Sequence, residues 1–193
     1  MKRINPNIIT GLRLFVFAPL VCFFLMHGYL VLALLSMILG EITDGLDGFF
    51  ARRYGRVSDF GKLFDPMCDS FFHIIIWLSF LKLGWVPIYF VILFFGRDLV
   101  VSYIRIWLAS QKEKIILAAR ISGKIKAVAQ ATAQISIVFS HLFLSRNILE
   151  NIQRWLVLLA AGVTIYSLLD YGISSCVRIR QIKERALAEL EIK

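Results

Sequence analysis

The chain has 193 residues, 59% of them hydrophobic and 18% charged, with a mean hydropathy of +0.74. It is too apolar for an ordinary soluble domain, too charged for a simple bundle of lipid-facing helices, and of a length that suits one domain, 1–193. The net charge of +9 would fit nucleic acid or an anionic surface, but its segregation along the chain favours the membrane, with no nucleic-acid partner.

Six apolar stretches are long enough to cross a bilayer: 7–27, 29–51, 66–83, 86–109, 122–144 and 154–177. The first is basic and apolar at its start, but Arg13 interrupts it and no small-residue cleavage site follows, so it reads as a retained helix rather than a signal peptide. His27-Gly28 marks a turn after it. Pro66 fits the first turn of the third helix, where a missing N–H is tolerated. Gly84-Trp85 with Pro87 marks the next turn, Ser110 to Arg120 reads as a short charged surface segment, and Ser145 to Asn151 reads as a polar connection. The tail Arg178 to Lys193 has a helical pattern with mixed charge and leaves the membrane. Cys22, Cys68 and Cys176 lie in apolar context with neither disulfide nor zinc spacing. The expected fold is all-α: a polytopic membrane protein with six transmembrane helices.

Lys and Arg set the orientation. With the amino terminus inside, the cytoplasmic segments carry sixteen of them and the outer segments only Lys82, Arg146 and Arg154. Both termini are then cytoplasmic. The remaining three, Arg13, Arg97 and Arg105, fall within apolar runs. Trp85 and Trp155 suit interfacial anchors.

The stretch from Asp44 to Asp69 carries the chemistry. It reads D-G-L-D-G-F-F-A-R, eight residues, then G-K-L-F-D-P-M-C-D. Carboxylates are costly in a membrane helix and normally face a cavity, a partner or an ion. Asp44 and Asp47 are spaced i,i+3 and Asp65 and Asp69 i,i+4, so each pair shares a helix face. Two such helices side by side make an all-oxygen cage suited to Mg2+ or Mn2+. Capping or salt bridges to Arg52, Arg53, Arg56 or Lys62 would account for one pair. They account poorly for two pairs that bracket a basic loop and glycines.

Asp44-x2-Asp47-Gly48-x2-Ala51-Arg52-x8-Gly61-x3-Asp65-x3-Asp69 resembles, at all eight positions, the signature of the CDP-alcohol phosphatidyltransferases. The resemblance covers nearly the whole chain, and the six-helix length agrees with it. It implies a homodimer, a cytidine-diphosphate lipid donor (CDP-diacylglycerol), two divalent ions (Mg2+ or Mn2+) and a membrane lipid environment. It assigns Asp44, Asp47 and Asp65 as metal ligands, and Asp69 as ligand and catalytic general base. Around the donor it implies Thr10, Gly48, Arg52, Ser58 and Gly61. The two glycines let a diphosphate approach the backbone, and Arg52 offers a forked cation to a phosphate.

The motif does not name the acceptor alcohol. Asn7-Ile8-Ile9-Thr10-x2-Arg13, Arg97-Asp98-x3-Ser102-x2-Arg105 and Gly123-Lys124-Ile125-Lys126-x3-Gln130 resemble the bacterial phosphatidylglycerophosphate synthase branch, which uses sn-glycerol 3-phosphate. Arg97 and Arg105 are eight residues apart and lie near one helix face. With Lys124 and Lys126 they could bind a dianionic phosphate; the competing reading pairs Arg97 or Arg105 internally, with Asp170 and others. Asp98, Ala127 and Ser70 stand where that branch usually has Glu, Thr and Lys. His73, one turn past Asp69, reads as a packed interior histidine. The expected activity is phosphatidyl transfer to sn-glycerol 3-phosphate in a bacterial inner membrane, with the site facing the cytoplasm. Inositol phosphate, serine, choline or a lipid are alternative acceptors, and a cation transporter is the alternative of another class.

Overall fold

The computed structural model describes residues 11–54, 59–109 and 121–191, and of residues 44–54, 59–66, 108–109, 146–147 and 181–191 the backbone alone. Every described element is helical. A π turn, Arg13–Phe17, leads into α1 (Ala18–Met26). There follow α2 (Leu30–Tyr54), α3 (Asp59–Lys82), α4 (Ile88–Ala109), α5 (Ile121–Phe143) and α6 (Arg146–Glu191). Each expected apolar stretch is occupied by one helix. Gly28 and Gly84 close the two expected turns with φ of 76° and 72°, a region that side chains with a Cβ rarely enter.

Two boundaries differ from expectation. α3 begins at Asp59, so Pro66 lies inside the helix rather than in its first turn. The helix tolerates the lost N–H because the apolar run on its far side carries the backbone ladder onward to Lys82. α6 begins at Arg146, so most of the polar Ser145 to Asn151 stretch is helical; polar side chains there are compatible with a first turn. Ser110 to Arg120 lies outside the described residues.

The first helix packs against both α2 and α3, α2 packs against α5, α3 against α4 and α5, and α6 closes the bundle against α4 and α5. The apolar core runs through Val21, Leu25, Met37, Phe72, Trp77 and Phe94. Trp77 and Phe94 rings meet with centroids 4.7 Å apart. Yet Arg13, His73, Arg97, Asp98, Lys126 and Gln134 are also buried, while large apolar side chains such as Phe15, Tyr103, Trp155 and Ile173 point outward. Among the described residues a cluster of charged and polar side chains is thus buried beside the apolar core, while much of the exterior is apolar.

Among the described residues one helix, Ile148–Arg180, is long and apolar enough to cross a membrane by length and composition, and Arg13–Met26 and Leu30–Thr43 are shorter apolar helices. α4 carries Arg97, Asp98 and Arg105 and α5 carries Lys124 and Lys126. Composition alone cannot register that most of these charges turn inward.

Close packing at the first helix pairs makes one prediction. A Cβ on Gly40 would lie 2.6 Å from Cζ of Phe72, whereas one on Gly96 would meet nothing within 4 Å. Both glycines are helical, so Ala brings the same propensity gain at each. Overpacking typically costs about 1–3 kcal/mol. Gly40→Ala is therefore expected to be less stable than Gly96→Ala by about that amount, read from denaturation in detergent.

Candidate active site

α2 is unbroken through Tyr54, so Asp44 and Asp47 stand one turn apart on one face. α3 is unbroken from Asp59, so Asp65 and Asp69 do the same. Thr10 and Ser58 lie outside the described residues, as do the side chains of Asp44, Asp47, Arg52 and Asp65 and the surroundings of Gly48 and Gly61. Asp69 is the member of the motif whose contacts are described.

Two basic groups converge on Asp69. Arg13 Nη2 donates to its Oδ1 at 2.8 Å and lies 3.5 Å from Glu41 Oε1. The same guanidinium sits 4.7 Å over the Phe72 ring. The π turn aims it. Ala18 N–H bonds back five residues to Arg13 O, ahead of Pro19, which has no N–H for an α turn and whose ring would crowd the carbonyl four residues earlier. The extra residue in the turn rotates what precedes it about the helix axis, and Arg13 enters the bundle with 2% of its surface exposed. Such local widenings often mark functional sites.

The second basic group is His73, one turn along α3. Its Nε2 lies 3.4 Å from Asp69 Oδ1 and 4.0 Å from Glu41 Oε1. Its Nδ1 meets Gln134 Oε1 on α5 at 2.9 Å, and Gln134 Nε2 donates to the His73 carbonyl at 2.9 Å. His73 is buried as expected, and in addition it faces the motif. Both contacts to Asp69 fall on Oδ1. Asp69 remains 26% exposed above two almost fully buried bases.

A second polar cluster joins α4, α5 and α6. Asp98 accepts from Arg97 Nη1 at 3.0 Å and from Lys126 Nζ at 2.9 and 2.8 Å. Arg97 Nη2 also donates to Ser167 at 2.5 Å. Arg105 donates to the Tyr171 hydroxyl. The expected common face is realised: the guanidinium carbons of Arg97 and Arg105 lie 5.3 and 5.1 Å from the centre of the Tyr171 ring, in cation–π range. Ser122 Oγ donates to Asp170 at 2.5 Å. Lys124 is exposed and stands apart from the buried cations.

Arg97 is thus paired internally, through Asp98 rather than Asp170. Among the described residues three cations, Arg97, Arg105 and Lys126, gather about the carboxylate of Asp98 and the Tyr171 ring, while Asp170 accepts from Ser122. The Nε atoms of Arg97 and Arg105 are buried with no hydrogen-bond partner among the described residues. Unsatisfied buried donors are costly, and a positive excess with spare donors is suited to an anion.

Sequence reading passed over Glu41, Asp98 as a bridge, Gln134 and Tyr171. One signal was available for α5. Ser122, Lys126, Gln130 and Gln134 recur every four residues and all four are buried, a polar stripe in an otherwise apolar helix.

Known proteins show the same relationship. Residues 3–166 match the model of the family described as CDP-alcohol phosphatidyltransferase. A protein of Pectobacterium atrosepticum is 29% identical over 174 residues, spanning 86% of this chain and 92% of its own length. One of Mycoplasma genitalium is 29% identical over 202 residues, spanning 89% and 84%. One of Rickettsia typhi is 33% identical over 117 residues, spanning 60% and 65%. Each bears the name CDP-diacylglycerol–glycerol-3-phosphate 3-phosphatidyltransferase. The family match spans most of the chain, and all eight signature residues fall within it; the chain belongs to the CDP-alcohol phosphatidyltransferase family.

Proposed function

We propose that this protein transfers the phosphatidyl group of CDP-diacylglycerol to sn-glycerol 3-phosphate, giving phosphatidylglycerophosphate and CMP. The names borne by its relatives support the donor and the acceptor. The observation in this chain that carries the choice of acceptor is the cation excess at Arg97, Arg105 and Lys126, with two spare guanidinium donors. An uncharged acceptor alcohol would leave that excess uncompensated. The family match does not support a cation transporter.

Asp44, Asp47, Asp65 and Asp69 are the residues that would hold two divalent ions. Their helical register supports the fit, and the Arg13 and His73 contacts to Asp69 both fall on one oxygen, Oδ1. Hard carboxylate oxygens match Mg2+ or Mn2+. When bound, such ions neutralise the diphosphate and the departing CMP.

The chain's own groups do the rest. Asp69 takes the proton of the acceptor hydroxyl. The freed oxygen bonds to the phosphatidyl phosphorus, and the bond from that phosphorus to the bridging diphosphate oxygen breaks, its electron pair leaving with CMP. Arg97, Arg105 and Lys126 hold the phosphate of the acceptor, with Lys124 at the edge of the site. Thr10, Gly48, Arg52, Ser58 and Gly61 cradle the donor diphosphate.

The apolar exterior and charged interior, with the lysine and arginine asymmetry, support a multi-pass protein of a bacterial inner membrane. In this reading the six helices cross the bilayer, both termini and the aspartate site face the cytoplasm, and the chain works as a homodimer.

The purified protein, given CDP-diacylglycerol, Mg2+ or Mn2+ and a panel of glycerol 3-phosphate, inositol phosphate, serine and choline, is expected to release CMP and form lipid product best with glycerol 3-phosphate. A preference for serine or choline would contradict the choice of acceptor. A charge-assisted hydrogen bond contributes about 1.5–3 kcal/mol. Arg105→Ala should therefore raise the KM for the acceptor roughly 10- to 150-fold, with the KM for the donor nearly unchanged, in steady-state assays that vary each substrate in turn.

A further inference from the structure

The polar groups around Asp69 are more elaborate than the proposed reaction requires. Gln134 has none of its surface exposed, and both ends of its amide are committed to one residue, His73. A buried amide is tolerated only when its polar atoms are satisfied. The pairing also sets the amide's orientation. A carbonyl oxygen can be met only by the NH2 end, so Nε2 takes the His73 carbonyl and Oε1 is left for Nδ1. Nδ1 must then be the donor, and for Nε2 to donate to the Asp69 carboxylate as well the ring must be an imidazolium. The ring is held against rotation and its other nitrogen, Nε2, is directed at Asp69 Oδ1 at 3.4 Å. Phe72 flanks the ring edge-on with centroids 5.9 Å apart, and Glu41 lies 4.0 Å from Nε2. Arg13 approaches the same Oδ1 from the opposite element.

We propose that His73, clamped by Gln134, is a positioning residue for Asp69: with Arg13 it holds Oδ1 and so presents Oδ2 to the reaction. This rests on the reading of Asp69 as base and ligand given above. The assignment goes beyond the aspartate signature, because the clamp comes from α5 and its target is four residues past the last Asp.

Two conservative substitutions separate this role from a structural one. In His73→Gln the terminal amide replaces Nε2, keeping a donor toward Asp69 while giving up the bond to Gln134. In His73→Asn the amide replaces Nδ1, keeping Gln134 and losing Asp69. Misplacement by about 1 Å can cost on the order of 10^2-fold in rate. His73→Asn is expected to lower kcat roughly 10- to 100-fold, with KM for both substrates nearly unchanged, and His73→Gln, which keeps the donor but not the clamp, to lower it clearly less. The same order is expected in Mn2+ affinity, measured by electron paramagnetic resonance without substrates.

Equal activity in the two variants, a better Asn than Gln variant, or losses that follow KM or the thermal midpoint would overturn the proposal. Should neither variant fold, Gln134→Met decides: reduced kcat at unchanged KM supports the clamp, and unchanged kcat overturns it. Wild-type protein that releases no CMP with any acceptor would instead contradict the functional reading, and the order of Mn2+ affinities would still test His73.

Discussion

The ion pair between Arg13 and Asp69 is the contact on which the architecture of the site depends. A guanidinium with almost no exposed surface cannot stay charged inside an apolar bundle without a partner. Satisfying it draws the N-terminal turn to α3, and its second carboxylate, Glu41, ties it to α2. The first helix therefore packs against both motif-bearing helices. The Phe72 ring lies beneath the guanidinium and against Gly40, so apolar packing and ion pairing are settled by the same few residues. A break in this pair would loosen three elements and leave the buried cation to Glu41 at 3.5 Å.

The second cluster solves a related problem differently. Asp98 bridges Arg97 and Lys126, which brings their burial cost down without cancelling the positive charge of the region. Tyr171 lies under both arginines and takes a bond from one, so it holds two cations close together while leaving their Nε groups unspent. Cations kept paired but in excess are suited to an anion that comes and goes. This is why the cluster supports a phosphate-bearing acceptor better than a neutral one.

The helices and the motif were legible because each leaves a periodic trace. Six apolar runs became six helices, and the i,i+3 and i,i+4 spacings of the aspartates fall on unbroken helix. Pro66 misled because a strong apolar run carries a helix past a proline that would end one in water. Arg13 was visible as a lone cation in an apolar span, but its partner lies 56 residues away, and no local pattern encodes that distance. Arg97 was expected in a phosphate-binding group, with internal pairing as the competing reading, and it pairs with its own neighbour, Asp98. Adjacent helical residues point in different directions, and only a third group, Lys126, makes Asp98 a useful bridge. The four-residue polar stripe of α5 was readable, whereas the pairing of Gln134 with His73 depended on how α5 meets α3.

Metal binding at the carboxylates tests the account most directly, because four aspartates cannot take up a diphosphate without cations between them. Mn2+ titrated into the purified, detergent-solubilised protein and followed by electron paramagnetic resonance is expected to show two ions per chain. Asp44→Ala and Asp65→Ala, one from each helical pair, should each lose that binding together with CMP release. Unchanged stoichiometry and affinity in both variants would contradict a metal site built by α2 and α3.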